Sequence, residues 1–186
     1  KQGELEWKFP VGLAAGFDKN AQCVPFFEAM GFGAIEIGTV TKLKQAGNPK
    51  PRIFRLKEIE SVRNAMGFPN AGSDEIFNNI QKHAPYNICL GSNLGKNKDT
   101  SESDTPGEYA ELYEKFAPVS DYLLINISSP NPPGLRSFQK KELLWPILAA
   151  VNEKRKVLSK PIYIKIAPDL EDHDIQMLCE LSKEMN

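Results

Sequence analysis

Two lysines stand in or beside apolar runs, where a charge needs a reason. Lys19 closely follows the run Val11–Ala15, and Lys165 lies inside the run Ile162–Ile166. A lysine ammonium taken out of water is costly unless an anion or another acceptor meets it. Clusters rich in glycine, asparagine, serine and proline follow the apolar runs of the chain. They are Gly16-Phe17-Asp18-Lys19-Asn20, Gly38-Thr39-Val40-Thr41, Gly91-Ser92-Asn93-Leu94-Gly95-Lys96-Asn97-Lys98, Asn126-Ile127-Ser128-Ser129-Pro130-Asn131 and Ala167-Pro168-Asp169. Asparagine side chains carry both donors and an acceptor and suit a planar, amide-like group. Lysines and asparagines together describe a site for an anionic ligand with amide character. The same residues also make ordinary turns, and for any single cluster that reading stands beside the functional one.

Other chemistries find little support. No GxGxxG or Walker-type loop follows a strand-like run, which argues against nicotinamide dinucleotides and ATP. His83 and His173 are isolated, so neither a Ser-His-Asp triad nor a histidine metal site is expected. Asp172 and Asp174 read as the acidic start of a helix rather than a metal pair. With no histidine near it, Ser129 can act as a base only in unusual surroundings.

The elements that must position these residues alternate. Val11–Ala15, Ala34–Ile37, Asn87–Leu90, Tyr122–Ile125 and Ile162–Ile166 are too short for helices and read as strands buried on both faces. Between them the spacing predicts helices over Ala21–Met30, stopped by Gly31, and over Asp74–His83, capped by Ser73. Further helices are expected over Glu108–Phe116, Lys140–Leu158 and Glu171–Lys183, the last with Ile175, Leu178 and Cys179 on one stripe. This alternation predicts a parallel sheet whose site lies at the carboxyl ends of its strands. Two closures stay open on pattern alone, a doubly wound sheet and a (β/α)8 barrel. Thr39–Asn70, with Pro49, Pro51 and Pro69, shows no long pattern and reads as a functional loop or lid. Lys98–Pro106 reads as a solvated surface linker.

Composition sets the outer bounds. The 186 residues carry 23 Lys+Arg against 24 Asp+Glu, a net charge of −1, which argues against nucleic acid as a partner. Hydrophobic residues at 41% and charged residues at 25% fit an ordinary globular protein, read as one domain over 1–186 without internal repeats. No apolar run approaches the ~20 residues that span a bilayer, and the charged opening KQGELEWK is not a signal peptide. Cys23, Cys89 and Cys179 form no CxxC pair, which argues against a disulfide scaffold or zinc site and for a reducing compartment.

Several segments, taken in order, resemble the class 2, quinone-dependent dihydroorotate dehydrogenases. They are Val11-Gly-Leu-Ala-Ala-Gly-Phe-Asp-Lys-Asn20, Ile35-Glu-Ile-Gly-Thr-Val-Thr41, Pro51-Arg-Ile-Phe-Arg-Leu56 and Asn64-Ala-Met-Gly-Phe68. Ser92–Lys98, Asn126–Asn131 with Gly134-Leu-Arg136, and Lys165-Ile-Ala-Pro-Asp-Leu170 continue the match. The resemblance implies a flavin-binding (β/α)8 TIM-type barrel, with about the first five β/α units in this chain. It implies oxidation of dihydroorotate to orotate in pyrimidine synthesis, with FMN as cofactor and a quinone as final oxidant. By the same resemblance Ala15, Gly16, Phe17, Asp18, Lys19, Thr39, Asn93, Asn126 and Lys165 contact FMN. Lys19, Asn64, Ala65, Met66, Gly67, Phe68, Asn126 and Asn131 contact the substrate. The resemblance also implies Ser129 as the catalytic base and Arg55 as an arginine facing the quinone tunnel. It further implies peripheral association with a bacterial or mitochondrial inner membrane, through helices outside this segment.

Two departures follow. Pro132 replaces the family's threonine and offers no hydroxyl to relay the proton of Ser129. The family's later substrate motif and its flavin-phosphate loops have no match, so the chain reads as an internal segment, with the remaining barrel strands expected from the rest of the protein. The alternatives are a related FMN-barrel pyrimidine oxidoreductase, disfavoured by Ser129 in place of cysteine, and an incomplete fragment that only binds ligands.

Overall fold

The structure, a computed structural model, describes residues 5–131 and 134–185. Five strands form one sheet: β1 (Gly12–Leu13), β2 (Ala34–Val40), β5 (Cys89–Leu94), β6 (Tyr122–Asn126) and β7 (Ile162–Lys165). Their spatial order is β1-β2-β5-β6-β7, and every neighbouring pair is parallel. The helices α1 (Val24–Ala29), α2 (Ser73–His83), α3 (Thr105–Phe116), α4 (Lys141–Arg155) and α5 (Asp172–Glu184) alternate with them in sequence. A two-stranded antiparallel hairpin, β3 (Ile53–Leu56) with β4 (Ser61–Asn64), stands apart.

Alternation along each strand sorts the side chains into two sets. Ile35, Ile37, Leu90, Leu94, Leu123 and Ile125 face the helices in the main apolar core, together with Ile76, Ile80, Tyr109, Phe116 and Ile147. Burying each such aliphatic side chain is worth about 1.5–3 kcal/mol. The register aligns a different set on the other face. Glu36, Gly91 and Tyr122 share one level, with Asn93 and Asn126 nearer the carboxyl ends and Lys165 beside Asn126. The far end of this face is closed by a small cluster of Leu5, Ala34, Cys89 and Tyr122, against which Trp7 and Tyr163 pack. Burial pushes the Cys89 thiol up to about 11. Gly91 is required here, because a Cβ would fall inside the Tyr122 ring.

Several expectations are corrected. The first strand is only Gly12–Leu13, and α1 begins at Val24 with Pro25 in its first turn, later than Ala21. Ser73 does not cap α2. Gly72 occupies the cap position at φ +91°, and the Ser73 hydroxyl donates to the Lys42 carbonyl at 3.0 Å. Thr105 and Pro106 belong to α3, not to a linker. Thr39–Asn70 contains the hairpin, and Asn70 pins its end through Thr41 Oγ1 at 2.8 Å and the Phe68 carbonyl at 2.9 Å. Burial on both faces holds for β5 and nearly all of β2 but not for β7, whose Lys165 is exposed rather than buried. On α5 the buried residues are Leu178 and Leu181. Ile175 and Cys179 are exposed along an apolar groove of about 500 Å³ between α4, β7 and α5. Among the described residues no helix is long and apolar enough to cross a membrane.

Candidate active site

A cavity of about 660 Å³ opens at the carboxyl ends of the strands. After β1 the chain contributes Ala15, Gly16, Phe17 and Lys19, and the end of β2 contributes Thr39. Asn64 at the end of the hairpin, with Met66, Gly67 and Phe68 just after it, makes a second wall. The third comes from Asn126 at the end of β6 and Ser128, Ser129 and Asn131 after it, with Arg136 and Lys165 beside them. A parallel sheet delivers such clusters to one rim because every strand runs the same way.

Not every expected site residue stands in that wall. Asn93 is fully buried behind it. The Asp18 carboxylate accepts the Gln22 and Cys23 N–H groups, both at 2.8 Å, and so fixes the turn into α1. Ala65 is held through its backbone, its carbonyl accepting from Asn48 Nδ2 at 3.0 Å. Arg55 is exposed on β3, outside the cavity. Pro132 lies outside the described residues.

Beneath the cavity runs a chain of polar groups, buried at Asn93, Thr39, Asn126 and Ser128 and half-buried at Glu36. Asn93 Nδ2 donates to Glu36 Oε1 at 2.7 Å, and Thr39 Oγ1 donates to Asn93 Oδ1 at 2.8 Å. Asn126 Nδ2 donates to Asn93 Oδ1 at 3.0 Å and to Thr39 Oγ1 at 3.1 Å. The Asn126 Oδ1 then accepts the Ser128 N–H at 3.3 Å and its hydroxyl at 3.2 Å. The buried Tyr109 hydroxyl donates to the Asn126 carbonyl at 2.9 Å, tying the strand end to α3. Fully satisfied networks of this kind hold side chains to one arrangement.

The cavity wall is electropositive. Among the described residues neither Lys19 nor Lys165 is in an ion pair. Burial, reinforced by the charges of Arg52 and Lys165, holds Lys19 below the ordinary lysine value of 10.5. An anion entering here relieves that repulsion. Ser129 Oγ accepts the Asn131 N–H at 3.3 Å, and Asn131 Nδ2 donates to Asn64 Oδ1 at 3.3 Å, which ties the serine loop to the hairpin. Arg136 Nε donates to the Ser128 carbonyl at 3.1 Å, and its guanidinium pairs with Asp169 at 3.0 Å. The arrangement can neutralise a carboxylate, pair with a planar amide ring and set a hydroxyl beside it.

Sequence reasoning gave no role to Glu36, Arg52 or Arg136. Glu36 did leave a signal, a charge inside the apolar run Ala34–Ile37. Arg52 and Arg136 lie in loop-like stretches, where a charge is unremarked.

Comparison with known proteins agrees with the fold. The family profile described as dihydroorotate dehydrogenase matches residues 2–186. A dihydroorotate dehydrogenase (quinone) of Idiomarina loihiensis is 46% identical over 190 residues, covering 98% of this chain and 57% of the relative. That of Vibrio cholerae is 48% identical over 182 residues, covering 95% and 54%. The crystal structure of DHODH from Eimeria tenella in complex with ferulenol superposes with a TM-score of 0.92 at 36% identity, covering 100% of this chain and 56% of the other. The ligand-free form from the same organism gives a TM-score of 0.87 at 38% identity, covering 95% and 55%. The chain thus spans little more than half the length of the relatives it matches.

Proposed function

The chain belongs to the dihydroorotate dehydrogenase family, and from that premise we propose that its cavity serves the oxidation of dihydroorotate to orotate, with FMN as cofactor and a quinone as final oxidant. This is a reading of the whole protein, of which the chain supplies one side of the site. The observation that carries it is one cavity joining the Ser129 hydroxyl, the lysines Lys19 and Lys165, and the amides of Asn64, Asn126 and Asn131.

The family is flavin-dependent, and the residues present fit such a group. Gly16, at φ +111°, has no side chain, and an added Cβ would meet Lys19 Nζ at 3.8 Å, so the bare backbone there can lie close to a flat ring. Ala15, Gly16, Phe17, Lys19, Thr39, Asn126 and Lys165 would hold FMN, with Asp18 and Asn93 fixing them from behind. When bound, FMN supplies the hydride acceptor. Lys165 would balance negative charge at that group.

The chain's own residues do the rest. Lys19 neutralises the substrate carboxylate, and Asn64, Asn126 and Asn131 pair with its ring amides. The backbone from Ala65 to Phe68 shapes the pocket around them. Ser129 Oγ takes the proton from the ring carbon. Its hydroxyl already accepts from the Asn131 N–H, which leaves its own hydrogen free to pass to a water molecule as it receives the substrate's proton. Arg55, on the hairpin outside the cavity, is assigned to the quinone side, and the whole protein is placed at the surface of the membrane that holds the quinone.

Ser129→Ala tests the assignment. Flavin reduction by dihydroorotate in the stopped flow is expected to slow by ~10²-fold or more, with orotate affinity nearly unchanged. An unchanged reduction rate removes Ser129 from the chemistry.

A further inference from the structure

We propose that Glu36 is a positioning residue that sets the direction of the hydrogen-bond chain beneath the cavity, so that Asn126 turns its amide oxygen toward Ser128 and the cavity. The proposal rests on the reading of that cavity as the orotate site. An asparagine amide can be turned end for end with almost no change of shape. Two asparagines and a threonine hydroxyl could therefore satisfy one another in either of two directions. At the cavity end the Ser128 N–H bears on Asn126 Oδ1 through a long bond of 3.3 Å; the stronger choice falls to the other end.

Glu36 stands at that end. An ionised carboxylate only accepts, so the Asn93 group facing it at 2.7 Å must be the nitrogen. Reversal would set the Asn93 oxygen against a carboxylate oxygen at that distance. The Asn93 oxygen consequently faces Thr39 Oγ1 at 2.8 Å and Asn126 Nδ2 at 3.0 Å. Thr39 has one hydrogen and gives it to Asn93, so toward Asn126 Nδ2, at 3.1 Å, it can only accept. Both Asn126 N–H groups are thereby used inside the protein. What remains is the oxygen, which accepts the Ser128 N–H and, without a ligand, the rotatable Ser128 hydroxyl, whose place a ligand donor can take. A charge two side chains away has decided that a ligand group meeting Asn126 must bring a donor. Glu36 touches no cavity surface; it acts through Asn93 and Thr39.

The test compares Glu36→Gln, which keeps an acceptor of the same shape, with Glu36→Met, which keeps the bulk and loses the acceptor, in the flavin-loaded protein. The flavin absorbance reports the Kd of orotate and of its ring-N-methylated derivatives. The parent and Glu36→Gln are expected to favour orotate by about tenfold or more over the derivative that blocks the paired N–H. In Glu36→Met that ratio should shrink below about threefold. A general loss of stability would weaken all ligands together and leave the ratio alone. The side-chain amide resonances of Asn93 and Asn126, read without ligand in 15N-asparagine-labelled protein, should move in Glu36→Met and stay near their places in Glu36→Gln. A parent that binds all forms alike, a Met variant that keeps the ratio, or a Gln variant that loses it as fully overturns the proposal. If the parent fails to bind orotate at all, the functional reading fails, and the amide resonances still decide the role of Glu36.

Discussion

The two faces of one sheet answer different demands. On the helix side, Ile35, Ile37, Leu123 and Ile125 are fully buried in a continuous apolar core. One residue along the same strands, Glu36, Asn93 and Asn126 point the other way and spend their polar atoms on one another. The first face is non-directional, and its side chains could be exchanged for others of similar volume at modest cost. The second is directional, and each group there is fixed by the hydrogens its neighbour has left. Holding the fold together and shaping the site are thus separable tasks carried by alternate residues.

That separation can be broken by experiment. The largest effect is expected for Leu123→Ala, on the helix side, which should cost about 2–5 kcal/mol in denaturant unfolding. Orotate affinity of the protein that stays folded should hold. A strong loss of affinity there would show that the two faces are not independent. Next in size is Lys19→Met, expected to weaken orotate binding by about 10–100-fold, the loss of a charge-assisted hydrogen bond. Its unfolding midpoint should not fall, because a half-buried ammonium is removed. The same lysine gives the comparison a pH axis. Its charge is complete below its lowered pKa, so orotate affinity should be full there and fall away as pH climbs through it, beneath the ordinary 10.5. Without ligand, stability should rise across that window, since the unfolded chain holds the proton more tightly. The smallest effect belongs to Asp169→Asn. Its ion pair with Arg136 is largely solvated and should be worth under about 1 kcal/mol in a melt. A larger change in flavin reduction than in stability would show that the pair acts on the Ser128–Ser129 peptide.

The strand–helix alternation was legible because each element carries its own period, and the carboxyl-end clusters were legible because turn residues and lysines punctuate them. The ends of elements were not. Gly72 caps α2 in place of Ser73, a matter of backbone geometry that residue type does not reveal. The hairpin was hidden because its strands are four residues long and wholly exposed, leaving no buried stripe to read. Lys165 looked buried from its apolar neighbours, but β7 is an edge of this sheet. The motifs pointed to Asn93 and Asn126 one at a time. That they act as one chain ending at Glu36 depends on which strands lie side by side, and only the register supplies that.

The Tyr122 ring lying across Gly91 also bears on how this sequence can change over generations. Any side chain at Gly91 collides with the ring, while a smaller residue at 122 on its own would leave a hollow beside the carboxylate that Tyr122 approaches at 3.5 Å. The first step is closed outright, and the second costs stability. The two positions are expected to be inherited as a pair, and position 91 can change only after position 122 has, in a background stable enough to carry the hollow.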